Sequence, residues 1–251
     1  KRLAFIAAIL LVSCLGTIWL LFQHKPAWYR PLEIPREQAQ AIRDDFVGTV
    51  DHVSEKMNTS GVNKVFEIKL TQDQINAWLA AREQIYPALR QWTPVWLNDP
   101  YIILEQDGFR VAATAFQKGI KCVVSVNVRA HMQTDGIAIQ LTHVAGGSLP
   151  MPKSVIEGVI TRLERHFRTT TAFSEDNPRH EVFPTLAELI KGTTIPKQWV
   201  WKNGDQPFLI QKIQFEPGAV TFAMQPLARH NKQNPTKPKK PDPFFDLSGR
   251  Q

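Results

Sequence analysis

Residues 120–132 alternate strictly. Ile120, Cys122, Val124, Val126, Val128, Ala130 and Met132 hold one parity, and Lys121, Val123, Ser125, Asn127, Arg129 and His131 hold the other. A period of two places these sets on opposite faces of a pleated strand, about 40 Å long when extended. The strand is the centre of a predicted antiparallel meander over residues 101–149. Asp107-Gly108 and Asp135-Gly136 read as two-residue loops, since a type I′ turn needs φ > 0 at both central positions. Leu104 then faces Val111, Ile102 faces Ala113, Met132 faces Ile139, Ala130 faces Leu141 and Val128 faces His143. Lys118-Gly119 is a weaker signal, read either as a two-residue loop or as the end of a four-residue loop over 116–119, with the same parity. All three turns put Phe109, Val111, Ala113 and Ala115 on the face of Cys122, Val124, Val126 and Val128. The other face pairs Glu105 with Arg110 and turns Asn127, Arg129, His131, Gln140 and Thr142 toward water or a polar partner. A meander with one dry face needs an apolar cover.

Helical periodicity supplies candidates for that cover. Ile42, Phe46, Val50, Val53 and Met57 recur at spacings of three or four after Pro35, which suits a first helical turn. Thr71-x-x-Gln74 is a capping box that follows a strand over 65–70 and opens a helix carrying Ile75, Trp78 and Leu79; Ser154-x-x-Glu157 opens another, with Ile156, Val159, Ile160, Leu163 and Phe167 as its stripe. Further on, Asn203-Gly204 and Pro217-Gly218 mark C-terminal hairpins, the second setting Phe215 against Val220 and Ile213 against Phe222. The fold class expected is α+β: an N-terminal transmembrane helix, a curved antiparallel meander on one or two helices, and added C-terminal β-hairpins.

The transmembrane expectation rests on residues 3–22, which hold no charge and rise about 30 Å as a helix, the depth of a bilayer's hydrocarbon. Lys1 and Arg2 precede the run, and Trp19, Lys25, Trp28, Tyr29 and Arg30 follow at its far end, where aromatic and cationic anchors belong. The domains expected are an anchor over 1–25, an extracytoplasmic body over 26–226 and a disordered, basic, Pro/Lys-rich tail over 227–251. Residues 24–251 are placed outside the cytoplasm of a bacterium, on a single-pass protein of the inner membrane. A rival stays open: Leu11-Val12-Ser13-Cys14 resembles a lipoprotein signal-peptidase box, with Cys14 as the acylated residue.

Charge changes little. The net +7 over 251 residues is concentrated at the ends: Lys1 and Arg2 in front, and six basic residues against Asp242 and Asp246 after Pro226. The body is nearly neutral, so no nucleic-acid surface is expected. Cys14 and Cys122 lie in the apolar run and in the sheet and form no disulfide framework. There is no G-x-S-x-G, P-loop, H-E-x-x-H or CxxC pattern. His131 and His143 are the nearest thing to a metal pair, and the register points them apart. Asp44-Asp45 read as a solvated face, and Trp199 and Trp201 as core. No enzyme, cofactor or metal is expected.

The order of anchor, helix, "FEIKLTQDQINAWLA" at 66–80, meander and "GGSLPMP" at 146–152 resembles the YpmS-like bacterial membrane-anchored proteins. More distantly it is similar to the LmeA-like and tubular lipid-binding proteins. The resemblance covers 66–152 and implies a strongly curved sheet wrapped on a long helix, with no catalytic residue.

The expected function is a membrane-anchored, non-enzymatic binder of a lipid or other apolar ligand. Its groove would be lined by Phe109, Val111, Ala113, Ala115, Val124, Val126, Val128 and Ala130, left open because the helix over 154–167 is only about 20 Å long. The alternative is a scaffold in an envelope membrane-protein complex, with Phe244-Phe245 in the tail as a docking motif.

Overall fold

The computed structural model describes residues 2–87, 94–117, 119–152, 154–158, 161, 165, 192–201 and 206–228. Its architecture is α+β, with two antiparallel sheets and a few helices. Helix α1 (Arg2–Gln23) leads through a connector to α2 (Arg36–Thr59). Strand β1 (Phe66–Thr71) runs straight into α3 (Gln72–Ala80) and the short α4 (Arg82–Ile85). The meander follows as β2 (Leu97–Glu105), β3 (Gly108–Gln117), β4 (Ile120–Met132) and β5 (Ile137–Gly146), closed by β6 (Leu149–Pro150). After it come β7 (Thr193–Ile195), β8 (Gln198–Trp201), β9 (Gln206–Glu216) and β10 (Ala219–Pro226).

The meander forms one sheet, ordered β2-β3-β4-β5-β6, with β7 also on β5. Across β3 and β4 the register is the one the alternation requires, Phe109 on Val128, Val111 on Val126 and Ala113 on Val124. At the two D-G turns it differs from expectation by two residues, which keeps every side chain on its face. Leu104 pairs Phe109 and Ile102 pairs Val111, while Met132 pairs Ile137 and Ala130 pairs Ile139. The glycines are there for another reason. Gly108 is itself paired, and a Cβ on it would collide with the backbone of Val128 and Arg129; a Cβ on Gly136 would meet the Ile195 carbonyl oxygen at 2.5 Å. Both glycines admit a neighbouring strand. A bulge at Thr142 then shifts the parity, so His143 pairs Asn127 and lies on the polar-parity face with His131, correcting the expectation that the two point apart.

The second sheet, β1-β10-β9-β8, joins the first predicted strand to the last hairpin. Pro217-Gly218 behaves as expected: Gly218 has φ +83°, Phe215 pairs Val220 and Ile213 pairs Phe222. Helix α2 packs on this sheet. Val53 and Met57 form a core with Phe208 and Met224, flanked by Phe66, Ile68, Trp201, Ile210 and Phe222. Trp201 is core, its indole N–H donating to the Ser54 hydroxyl at 3.0 Å, whereas Trp199 on the edge strand is 37% exposed.

Helix α3 joins the two sheets. Its capping box is complete, with the Thr71 hydroxyl accepting from the Gln74 N–H and the Gln74 side chain accepting from the Thr71 N–H. One turn on, Gln72 and Asn76 aim side-chain amides at the free edge of β2. The Asn76 amide donates to the Ile102 carbonyl at 2.9 Å and accepts the Ile102 N–H at 2.8 Å, and Gln72 accepts the Leu104 N–H at 2.9 Å. The edge is thereby closed by side chains where a further strand would have paired. Asp45 serves the same joint, accepting the Trp78 indole N–H at 3.0 Å.

Candidate functional site

The end of α1 packs closely on the meander. Gly146 and Gly147 turn β5 into β6, and the last residues of the helix sit in the notch this turn leaves. Gly147 has φ +59°, and a Cβ there would overlap the carbonyls of Leu21 and Phe22. On Gly146 it would come within 2.7 Å of the Phe22 ring. Ser148 donates its N–H to the Leu21 carbonyl at 2.9 Å, satisfying one of the carbonyls a helix leaves open at its C-terminus. His24 Nδ1 lies 2.7 Å from the Ser148 hydroxyl. The Gly-Gly-Ser sequence at 146–148 is a seat for the helix.

Beyond the seat, Pro26 starts a turn closed by the Tyr29 N–H on the Pro26 carbonyl at 3.0 Å. The turn drives the Tyr29 ring onto the sheet, where it is 2% exposed against Ala112, Val123 and Tyr101. Its hydroxyl donates to the Asp99 carbonyl at 2.6 Å and meets the Thr114 hydroxyl at 2.9 Å. Burial pushes the phenol above its ordinary pKa, and the nearby Asp99 carboxylate adds to that. Trp28 stacks edge-on to Tyr29 and lies under Arg110, which pairs with Glu105 at 2.8 Å as expected. The connector thus roofs one end of this face, around Ala112 and Val123, because small Ala112 leaves room for a ring, while Arg129, His131, Gln140 and Thr142 at the other end are exposed as expected.

Between roof and sheet a cleft of about 390 Å³ remains, reaching Gln23, Lys25, Glu33, Asp99, Thr114 and Lys121. Asp99 sits at φ +52° in a bulge of β2 between Asn98 and Tyr101. Such a bulge re-aims a side chain out of the ladder.

The expected groove residues do share one face. Ala113, Ala115 and Cys122 are buried there, while Phe109, Val111, Val124, Val126, Val128 and Ala130 are half-buried. Helix α2 lies on the other sheet, and Phe215 of β9 approaches Phe109 at 5.9 Å between ring centres. Residues 154–158 begin the expected covering helix, most of which lies outside the described residues, as do Asn203-Gly204 and Phe244-Phe245. Burial raises the pKa of the Cys122 thiol, and both cysteines are free. Among the described residues no group of His, Cys, Asp or Glu could hold a metal.

Sequence reasoning missed Tyr29, Gly147 and Asn76. For Tyr29 a signal was present: Pro-x-x-Tyr just after an apolar run is a turn that returns a ring to the body. Compared with known protein families, curated proteins and solved structures, the chain matches none of them.

Proposed function

We propose that this protein is a non-enzymatic, membrane-tethered module of the bacterial envelope, whose extracytoplasmic body handles a lipid or other apolar ligand at the bilayer surface. The observation that carries the reading is the surface of α1. Ile9, Leu10, Leu11 and Val12 are consecutive and each more than half exposed, so that turn of the helix is bare and apolar on every side. Such a helix belongs in hydrocarbon. Among the described residues no helix is long and apolar enough to cross a membrane; the run with described side chains, 9–23, rises about 22 Å. The span proposed is the whole uncharged run 3–22, with Arg2–Gln23 continuous as helix. Kinship with the YpmS-like proteins, expected from the motifs, is part of the same proposal.

The ligand would lie on the half-buried face of Val126, Val128 and Ala130, which α2 leaves uncovered. Fractionation and protease digestion of spheroplasts test the tether: the body should stay with membranes and be cut without lysis. Purified full chain should retain lipid detectable by native mass spectrometry, and Ala130→Trp should lower it. Ala113 is too buried to serve as the test position. A soluble chain, or a membrane chain that carries no lipid, defeats the corresponding half.

A second reading, scaffold in an envelope complex, is favoured by β8, an edge strand with Trp199 and Val200 exposed. In-membrane crosslinking that depends on Trp199 or on residues 227–251 would favour it.

A further inference from the structure

The cleft at the end of α1 carries charges of both signs, and none of its four ionic groups has a salt-bridge partner among the described residues. Lys25 and Lys121 contribute two cations and Glu33 and Asp99 two anions, on walls that include Tyr29 and Thr114. Lys25 lies 5.6 Å from the centre of the Tyr29 ring. At about 390 Å³ the space falls in the range of small-molecule sites.

The balance of charge decides what fits. A purely anionic group would meet two carboxylates along with the two ammonium groups. A purely apolar one would lie against four exposed charges and offer none of them a partner. A phosphate ester bearing a protonated amine satisfies both pairs, with phosphate toward Lys25 and Lys121 and ammonium toward Asp99 and Glu33. We propose that this cleft is a binding site for a zwitterionic phosphate–ammonium group, of the phosphoethanolamine type.

The group has two sources, a lipid headgroup and a free solute. The lipid source rests on the reading of α1 as a membrane anchor, for the cleft opens beside Gln23, the last residue of that helix, at the depth where headgroups lie. The site is separate from the apolar groove, since it lies on the opposite face of β3 and β4.

Full-length chain is purified in an uncharged detergent and titrated calorimetrically with phosphoethanolamine and with inorganic phosphate. In parallel it is placed in nanodiscs of mixed phosphatidylethanolamine and phosphatidylglycerol, and retained lipid is measured by native mass spectrometry. Lys121→Gln removes an exposed cation, and Asp99→Asn removes an anion while keeping a residue that tolerates φ > 0. Unfolding midpoints of both should match the parent. The expected result is selective retention of phosphatidylethanolamine, with each variant weakening binding about fivefold or more. Binding of phosphoethanolamine without lipid retention upholds the site and assigns it to a solute. Equal binding of inorganic phosphate, preference for phosphatidylglycerol, or indifference to both variants overturns the proposal. A chain found in the soluble fraction would defeat the tether and leave the titration standing.

Discussion

Replacing Asn76 with Leu tests the clamp on the edge of β2. Asn76 is 2% exposed, and its amide is the partner of both the N–H and the C=O of Ile102. Leucine has the same number and branching of side-chain heavy atoms, is somewhat bulkier and is more apolar, so the transfer term favours the variant by about 1 kcal/mol. Against that stand two backbone groups left without partners, each costing about 1–3 kcal/mol. The expected net loss is about 1–5 kcal/mol, centred on about 3, and for a body of this size the melting temperature should fall by about 10 °C. Gln72→Ala is the internal comparison, because it frees only the Leu104 N–H at a half-buried position, and about 1 kcal/mol should go. Urea unfolding of the full chain in detergent, followed by tryptophan fluorescence, measures both. If Asn76→Leu lies within 0.5 kcal/mol of the parent, or Gln72→Ala costs more than it does, the edge of β2 is not held by these amides.

The alkaline limb should carry two groups. Cys122 and Tyr29 both have pKa values raised by folding, so each stabilises fully below its unfolded value and loses that contribution as pH climbs through the folded one. Urea midpoints should hold between pH 7 and 8 and decline above about pH 9, with Cys122→Ala delaying the onset and Tyr29→Phe flattening what remains beyond about pH 10. Gly147→Ala places a side chain where φ is +59° and where the helix carbonyls already lie. It should cost more than about 2 kcal/mol and speed chymotryptic cleavage after Tyr29 several-fold; unchanged cleavage would mean that α1 is not seated there. Cys122 should resist iodoacetamide at pH 7.5 until the chain unfolds, and prompt labelling of the folded protein would contradict its burial.

Alternation in 120–132 carried the meander because a period-two pattern fixes faces locally, and a slip of two residues at a turn leaves those faces intact. The same pattern could not reveal the bulge at Thr142, which depends on one unpaired residue and moves His143 to the other face. The β9–β10 hairpin was legible from Pro217-Gly218, but its pairing with β1 was invisible for a different reason. Phe66 and Met224 pair across more than 150 residues with no turn between them, so each strand reads alone as a short apolar run. The chemistry around Tyr29 was half legible: aromatic residues after an apolar run suggested an interfacial belt, whereas Tyr29 itself turns inward because Ala112 is small enough to receive it. Of the groove, the shared face was legible and the burial of Ala113 and Ala115 was not.

The seat at Gly146 and Gly147 has a mechanical consequence. Most tethers hang from a slack linker, which lets a domain swivel freely above its anchor. Here the helix end is gripped by the Ser148 N–H and the Tyr29 plug follows within a few residues, so the body and the helix share one orientation. A helix in a bilayer answers a change in hydrocarbon thickness by tilting. If α1 spans a bilayer as proposed, a stiff joint would hand that tilt on to the body, making the thickness of the surrounding membrane an input to the sheet.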